Sequence, residues 1–339
     1  MRPSFLTYDI TLSVVCVSLA LLVLCLFLLC KARNRLPQPS DPESPTPSHR
    51  PCATPWPLQT LHSATQAFSS NRALGHGRLG TTYRAILPDG LVVAVKRVDP
   101  QLVLARAGHS FSAEIKSLSR AHHPHVVPIL GYCEAPGERL IVADFAPLKS
   151  LEFHIHSNQG TALSWATRVR VASEVARGLD YLHNGTAPPI VHRAVRPSNI
   201  VFGAGMVARV SDYGLAPMFG VESNAKAGCW YRDGEGMASK AGDVYAFGVI
   251  LIELMSGRRL EREEVKEWAL RLIREGIGRE MVDERLSGDA ESEEVERMGR
   301  VALACVGNSR QCRPPIGQVA AILNDLWERR QRMGDGRNR

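Results

Sequence analysis

The hydrophobic positions of this 339-residue chain divide it into an apolar start, a polar spacer and a long globular part. Residues 10–30 contain no charged side chain. A helix of this length measures about 31 Å, enough to cross a hydrocarbon core of about 30 Å. The run is longer than the apolar region of a typical signal peptide, and no small-residue cleavage site follows it. The sequence therefore predicts a retained transmembrane helix over residues 10–30.

The charges that flank this run predict its orientation. Lys31, Arg33 and Arg35 follow it directly, whereas the nine residues before it carry one arginine and one aspartate. Because positively charged flanks stay in the cytoplasm, we expect residues 1–9 outside the plasma membrane and the rest of the chain in the cytosol. Nine residues are too few to bind an extracellular ligand, so the sequence favours partnership with a ligand-binding co-receptor.

A proline-rich segment separates the apolar run from the globular part. Eight of the 22 residues from Leu36 to Pro57 are proline, so this segment is expected to be an extended spacer that buries little apolar surface. We predict a juxtamembrane linker over residues 31–57, a globular domain over residues 58–329 and a basic tail over residues 330–339.

The globular part begins with β-like runs and continues with helical periodicity. The β-like runs cover residues 81–86, 91–97, 126–132 and 140–145. Residues 165–182 then repeat apolar side chains at helical spacing, and residues 244–255 are apolar nearly all round, which predicts a buried core helix. The pattern predicts an α+β protein with a β-rich lobe over residues 58–146 and a helical lobe over residues 147–329.

Composition and charge exclude several classes of protein. Lys and Arg together exceed Asp and Glu by seven, and the excess is spread along the chain, which does not indicate a nucleic-acid-binding face. The eight cysteines show no C-x-x-C pairing and no metal-ligand spacing. We therefore predict neither a disulfide framework nor a zinc site.

A glycine-rich sequence precedes the first strong β-like runs. Gly75, Gly77 and Gly80 form G-x-G-x-x-G, which is weak evidence by itself. A dinucleotide site would need a helix directly afterwards, whereas here a strand follows and then a second strand that ends near Lys96. This order is typical of a loop over ATP phosphates, with Lys96 pairing the α and β phosphates. Glu114 begins a predicted helix 18 residues later and is the candidate to hold Lys96.

With further sequence blocks, these features resemble the protein kinase family, and in detail the plant receptor-like Ser/Thr kinases, over about residues 58–327. The matching blocks include Leu130–Cys133, Ser150–His156, Gly178–His183, Gly242–Gly248 and Cys312–Pro314. The resemblance implies the bilobal kinase fold with ATP and Mg²⁺ as ligands. It also implies nucleotide contacts at Thr82, Ala94 and Ala143, metal ligands at Asn199 and Asp212, and structural roles for His192, Arg193, Glu235, Asp243 and Arg313, with Glu235 pairing Arg313.

The chain departs from the family pattern where the family binds and deprotonates the acceptor. In the family sequence H-R-D-L-x-P-x-N, the Asp accepts the proton of the substrate hydroxyl, and here that position is Ala194. The neighbouring lysine is Arg196, which keeps the charge without the geometry. The metal-binding triplet reads Asp212-Tyr213-Gly214, and the Ala-Pro of the peptide-docking loop is Asp233-Gly234. The resemblance thus leaves no intact catalytic set, although the positions that hold nucleotide and metal remain.

Three hypotheses follow for the function. The first is a membrane-anchored pseudokinase that binds ATP and Mg²⁺ and serves an active receptor-like kinase as scaffold or allosteric partner. The second is a slow or unconventional Ser/Thr kinase, since phosphoryl transfer depends mostly on positioning and charge. Between residues 214 and 233 its phosphorylatable hydroxyls would be Ser223 and Tyr231. The third is an interaction module that needs no nucleotide.

Overall fold

The computed structural model describes residues 52–105, 110–156, 162–220, 231, 239–260, 263–286, 290–307 and 309–337. The predicted transmembrane helix over residues 10–30 lies outside these residues, as does most of the proline-rich spacer. Among the helices in the described ranges, none combines the length and the apolar character that a bilayer span requires.

A six-stranded sheet forms the described part of the first lobe. Its strands are β1 (Thr54–Pro55), β2 (Ala73–Gly77), β3 (Gly80–Ile86), β4 (Val92–Val98), β5 (Ile129–Ala135) and β6 (Glu138–Asp144). They lie in the order β1-β5-β6-β4-β3-β2, and β1 runs parallel to β5 whereas the other neighbours are antiparallel. Because side chains alternate along a strand, β4 buries Val93 and Val95 on one face and turns Ala94 and Lys96 toward the cleft on the other.

Three short helices accompany this sheet: α1 (Leu58–Ala64), α2 (Pro100–Ala105) and α3 (Phe111–Leu118). Leu61 of α1 is fully buried against the face of the sheet that carries Val93, Val95 and Leu140. The other face receives α3, which inserts Phe111 into the main core of the protein. The two faces of the sheet thus serve two separate hydrophobic clusters.

The lobe begins earlier in the chain than the sequence predicts. Residues 52–57 were expected in the extended spacer, but β1 lies in this segment and Ala53 is buried. Pro55 is compatible with β1 because this strand is an edge strand, where a missing backbone N–H is tolerated. In the structure, the sheet of the first lobe thus includes residues that precede the predicted boundary at residue 57/58.

The second lobe is mainly helical. In the described ranges it contains α4 (Leu151–His156), α5 (Trp165–Asp180), a hairpin of β7 (Ile200–Phe202) and β8 (Ala208–Val210), and then α6 (Lys240–Ser256), α7 (Glu263–Arg274), α8 (Ser292–Cys305) and α9 (Ile316–Arg337). Helix α6 is buried from Asp243 onward, as the apolar run over residues 244–255 predicts. Its ends are capped by the Ser239 side chain, which accepts from Gly242 N, and by Gly257 in the left-handed conformation.

The C-terminal segment is helical. Residues 330–337, predicted as a basic tail, continue helix α9. Arg330 donates through Nη1 to Oε2 of Glu294, a carboxylate that is buried beside Trp165. Arginine side chains can bury their stems while their charged heads find partners, which a compositional reading of a basic stretch does not reveal.

A buried ion pair between Arg168 and Asp283 connects distant segments of the helical lobe. Arg168 of α5 is fully buried, and its guanidinium donates to the carbonyl oxygens of Leu163 (2.9 Å) and Leu254 (2.8 Å) and to Asp283 Oδ2 (2.6 Å). Burial alone would raise the pKa of Asp283. The hydrogen bonds from Arg285 and Arg168 outweigh it and hold this pKa at about 2, below the ordinary 3.8.

This ion pair predicts an acid-sensitive contribution to stability. Because the pKa of Asp283 is lower in the folded state, the pair stabilises the fold fully above about pH 4 and loses that effect as the pH falls toward about 2. We expect Asp283→Asn to lower the free energy of unfolding by about 1.5–3 kcal/mol at pH 7 and by less at pH 3. Urea unfolding at both pH values measures this. The partly exposed Asp325 gives the control Asp325→Asn. An equal loss at both pH values for Asp283→Asn would contradict the account.

Candidate nucleotide-binding site

A cavity of about 660 Å³ lies in the cleft between the two lobes. This volume falls in the range of small-molecule sites. The sheet and the connection after it supply the upper wall, and the segments around β7 and β8 supply the lower wall. Eight of the predicted site residues line it: Gly75, Gly77, Thr82, Ala94, Lys96, Ala143, Asn199 and Asp212. The cleft therefore brings together predicted site residues that are up to 137 positions apart in the chain.

Two residues predicted to contact ATP do not line this cavity. Gly80 begins β3 at the closed end of the glycine-rich hairpin. Glu114 lies half-buried in the first turn of α3. Neither Ala194 nor Arg196, from the predicted catalytic loop, belongs to the cavity lining either.

The three glycines of the loop have different structural roles. Gly80 has φ +133°, and a Cβ there would lie 2.0 Å from the carbonyl oxygen of Arg97. A Cβ on Gly75 would meet no atom within 4 Å, and one on Gly77 would meet only Gly80 O at 3.9 Å. Gly80 is thus required by the fold of the hairpin, whereas Gly75 and Gly77 keep space open in the cleft.

This difference predicts two distinct mutant phenotypes. Gly80→Ala is expected to cost about 1–3 kcal/mol of stability through backbone strain. Gly77→Ala should change the free energy of unfolding by less than about 0.5 kcal/mol while weakening ATP binding, because its methyl group enters the space left for phosphates. Thermal unfolding with and without ATP separates the two effects. The interpretation of Gly77 fails if Gly77→Ala binds ATP as tightly as the native protein.

Lys96 contacts Asp212 in the cleft. Its Nζ donates to Asp212 Oδ2, and both side chains are more than four-fifths buried. In the described residues, Lys96 forms no ion pair with Glu114, so the predicted Lys96–Glu114 pair is corrected to Lys96–Asp212. The physical reason is position: Asp212 lines the cleft beside Lys96, whereas Glu114 lies half-buried in the first turn of α3 outside the cavity lining.

Asn199 and Asp212 offer the two oxygen ligands expected for Mg²⁺. Nδ2 of Asn199 donates to the carbonyl oxygen of Ala194 at 2.8 Å, which leaves the amide oxygen Oδ1 with its lone pairs for a metal. Ser211 donates from N and Oγ to the Asn199 carbonyl at 2.8 and 3.0 Å, which ties the two metal-binding segments together. The described residues contain no cluster of three or more His, Cys, Asp or Glu side chains suited to a metal. Asn199 and Asp212 would therefore hold Mg²⁺ together with phosphate oxygens and water.

Ala194 keeps the shape of the catalytic loop without its chemistry. Its N–H donates to His192 Nδ1 at 3.3 Å, and its carbonyl oxygen accepts from Asn199. Burial lowers the pKa of His192, which favours the neutral ring that this contact requires. A methyl group cannot accept the proton of an attacking hydroxyl, so the loop has no base at this position.

The loop is held by Asp243 from the core helix α6. This buried carboxylate accepts the N–H of His192 and of Arg193, each at 2.7 Å, and lies 2.8 Å from His183 Nε2. Arg193 has φ 67°, an uncommon conformation for a residue with a side chain. Asp243 thus fixes the backbone that leads to Ala194, in agreement with the structural role that the sequence resemblance implies.

Two tyrosines near the site have buried hydroxyl groups. Tyr213 donates to the carbonyl oxygen of Val127 at 3.1 Å, so the additional hydroxyl relative to the Phe of the family finds an acceptor. Tyr231 donates to both carboxylate oxygens of the buried Glu253, at 2.8 and 2.9 Å. Burial raises the pKa of both tyrosines far above the usual 10. Because its hydroxyl is engaged in this way, Tyr231 is not placed to accept a phosphoryl group.

The remaining predicted residues are only partly described. Arg313 donates to the carbonyl oxygens of Gly307 (2.9 Å) and Ala241 (3.1 Å), and its guanidinium lies 5.0 Å from the centre of the Tyr245 ring. Its predicted partner Glu235 lies outside the described residues, as does Ser223.

A β-rich lobe and a helical lobe enclose a cleft in which a glycine-rich hairpin and a lysine face an asparagine and an aspartate, and this arrangement defines a protein kinase fold. The family model for the protein kinase domain matches residues 68–319. The chain belongs to the protein kinase family.

Its sequence relatives include plant receptor-like kinases. The chain is 36% identical to the serine/threonine-protein kinase-like protein CCR2 of Arabidopsis thaliana, over 79% of this chain and 33% of the relative. It is also 36% identical to the proline-rich receptor-like protein kinase PERK8 of the same plant, over 79% of this chain and 42% of the relative. The chain thus spans between a third and about two fifths of the length of these relatives.

Among solved structures, the chain is similar to the pseudokinase domain of BIR2, described as an immune regulator of the RLK/Pelle family. The identity is 32%, the TM-score is 0.70, and the match covers 80% of this chain and 86% of that one. These comparisons confirm the bilobal kinase fold and the resemblance to plant receptor-like kinases.

Proposed function

We propose that this chain is a membrane-anchored receptor-like pseudokinase that binds ATP and Mg²⁺ and transfers phosphate slowly or not at all. The observation that carries the proposal is that the site keeps the residues for nucleotide and metal but lacks the catalytic base. Lys96, Asn199 and Asp212 line the cleft where nucleotide and metal would bind, whereas Ala194 stands where a proton acceptor is needed.

The expected loss of rate follows from the missing base. A positioned general base contributes typically about 10²–10⁴-fold to a reaction. Kinases turn over at about 1–100 per second, so loss of the base alone leaves about 10⁻⁴–1 per second. Asp233 and Gly234 replace the residues that shape the peptide-docking loop of the family, which should reduce the rate further.

The similarity to BIR2 supports a role in signalling through another protein. BIR2 is described as a regulator and its matched domain as a pseudokinase. By analogy, the nucleotide-bound domain of this chain would act as scaffold or allosteric partner of an active receptor-like kinase or a ligand-binding co-receptor. The apolar run over residues 10–30 would anchor it at the plasma membrane with the kinase-like domain in the cytosol.

Phosphotransfer by the purified full-length chain in detergent tests the proposal. The assay follows labelled ATP into a generic protein substrate and into the chain itself, for the native protein and for Lys96→Met. We expect a rate below about 1 per second for the native protein. A rate typical of kinases that Lys96→Met abolishes would overturn the proposal in favour of an active kinase.

A further inference from the structure

The charged side chains that line the cleft cavity are balanced by partners of opposite charge, with one exception. Six Lys, Arg, Asp and Glu side chains line it, and five of them are paired within the described residues. The pairs are Lys96–Asp212, Glu152–Arg259 (2.9 Å) and Asp144–Arg209 (2.7 Å). The sixth, Lys149, has no carboxylate partner in this part of the chain, and its Nζ lies 3.6 Å from the centre of the Phe153 ring. The cavity therefore keeps one unbalanced positive charge.

The backbone holds Lys149 at the rim of the cavity, in the connection between β6 and α4. Lys149 has φ 64°, a left-handed conformation that is uncommon for a residue with a side chain. Pairing with β7 maintains it, because Phe202 N donates to the Lys149 carbonyl oxygen at 3.0 Å and Leu148 N donates to the Phe202 carbonyl oxygen at 3.2 Å. Ser150 also lines the cavity, and its hydroxyl group forms no hydrogen bond within the described residues. A cation and a hydroxyl group thus lie side by side at the rim.

A second cation, Arg84, approaches the same rim from the sheet. Arg84 follows Thr82 by two residues on β3, so both side chains lie on one face of the sheet. Its register partner on β4 is Ala94, which lines the cavity as Thr82 does. The guanidinium carbon of Arg84 lies 5.8 Å from the centre of the Phe145 ring, which is also part of the lining. Arg84 forms no ion pair within the described residues. The sheet and the segment after it thus each place a cation at the rim.

The proposed nucleotide would place its sugar near this rim. Lys96, Asn199 and Asp212 would hold the phosphates and the metal. The base is expected against Ala143 of β6, and the chain that leaves β6 leads directly to the rim at Lys149. The sugar joins the base to the phosphates. Its 2′ and 3′ oxygens are therefore the positions at which a further anionic group could face the rim without displacing either.

We propose that the cleft prefers an adenine nucleotide that carries a phosphate on its ribose, at the 2′ or the 3′ oxygen. Lys149 and Arg84 bind this phosphate through charged donors, and Ser150 donates from its hydroxyl group. The rings of Phe153 and Phe145 orient the two cations without neutralising them. A nucleotide is favoured over an acidic peptide because the cations border a cavity of about 660 Å³, which suits a small molecule. This inference rests on the proposed nucleotide site.

The test measures the dissociation constants of ADP, 2′-phospho-ADP and 3′-phospho-ADP by calorimetry. It uses the full-length chain in detergent, at low and at high ionic strength. The native chain is compared with Lys149→Gln and Arg84→Gln, which each remove one cation from the rim. Lys116→Gln is the matched control, because Lys116 is exposed on α3 and does not line the cavity.

We expect the native chain to bind at least one of the two phosphorylated nucleotides about three- to tenfold more tightly than ADP at low ionic strength. The gain is modest because Lys149 is exposed and its charge is partly screened by water. Lys149→Gln and Arg84→Gln should each reduce this preference, whereas Lys116→Gln should retain it. The preference should also shrink at high ionic strength, since salt screens exposed charges.

Two results overturn the inference. The first is that neither phosphorylated nucleotide binds the native chain more tightly than ADP. The second is that Lys149→Gln and Arg84→Gln show the same preference as Lys116→Gln. A poly-glutamate peptide that binds only when both cations are present, without a preference among the nucleotides, would assign the rim to an acidic peptide instead.

These outcomes separate the inference from the proposed function. If ADP and ATP bind but a phosphate on the ribose adds nothing, the proposed nucleotide site stands and the inference alone is overturned. If none of the nucleotides binds, the proposed site is wrong and the inference fails with it. If only a ribose-phosphorylated nucleotide binds, the inference stands, and ATP is the wrong ligand for the proposed site.

Discussion

Asp243→Ala is expected to lower the free energy of unfolding by about 3–5 kcal/mol. The carboxylate is 2% exposed. It accepts hydrogen bonds from the N–H groups of His192 and Arg193 and contacts the ring of His183. Alanine leaves the N–H groups of His192 and Arg193 and the ring of His183 without this partner, and it releases Arg193 from the support that keeps its φ at 67°. Urea unfolding of the full-length chain, followed by tryptophan fluorescence, measures the effect.

The control is Asp325→Ala, which removes a partly exposed carboxylate of α9 that pairs with Arg297 and Arg329. We expect a loss of less than about 1 kcal/mol there, since ion pairs near the surface contribute little. Asp243→Asn keeps one acceptor oxygen and should give an intermediate loss, which is informative if Asp243→Ala does not fold. Equal effects of Asp243→Ala and Asp325→Ala would show that Asp243 does not hold the loop.

Ala194→Asp is expected to raise phosphotransfer by about 10²–10⁴-fold, the contribution of a positioned general base. The surrounding geometry favours this gain of function. The backbone at Ala194 is already fixed by contacts with His192 and Asn199, so a carboxylate added there would be held in place by the existing loop. Labelled-phosphate incorporation at saturating ATP and Mg²⁺ measures the change.

Ala194→Asn is the matched control, because asparagine has the size of aspartate without its basicity. We expect it to transfer no faster than the native chain. If Ala194→Asp transfers phosphate no faster than Ala194→Asn, the missing base is not the main cause of the low rate. The replaced docking-loop residues Asp233 and Gly234 would then account for the loss.

Much of the fold and of the candidate site could be predicted because it depends on local patterns. The apolar run over residues 244–255 has to be buried on all sides, and it forms the core of α6. Gly77 and Lys96 lie one hairpin apart in sequence, so the period of two along β4 suffices to place both at the cleft. Asn199 and Asp212 could be assigned to the same site only through the family resemblance, because no local pattern connects them to Lys96.

The features that sequence could not predict depend on contacts between distant segments. Residues 52–57 contain two prolines and no apolar alternation, and their contacts with β5 and Ser119 explain why they are ordered. Whether Lys96 pairs with Glu114 or with Asp212 depends on how α3 lies relative to the sheet, which no local sequence pattern determines. Arg330 appears in sequence as part of a charged tail, although it pairs with the buried carboxylate of Glu294.

The most direct test of the central claim is the thermal unfolding of the full-length chain titrated with ATP, with and without Mg²⁺. A retained pocket predicts about 2.7 kcal/mol of stabilisation at ATP 100-fold above its Kd, and a loss of this shift in Lys96→Met. A shift for the native chain without phosphotransfer would support a nucleotide-binding pseudokinase. No shift at millimolar ATP would contradict the retained pocket and favour an interaction module that needs no nucleotide.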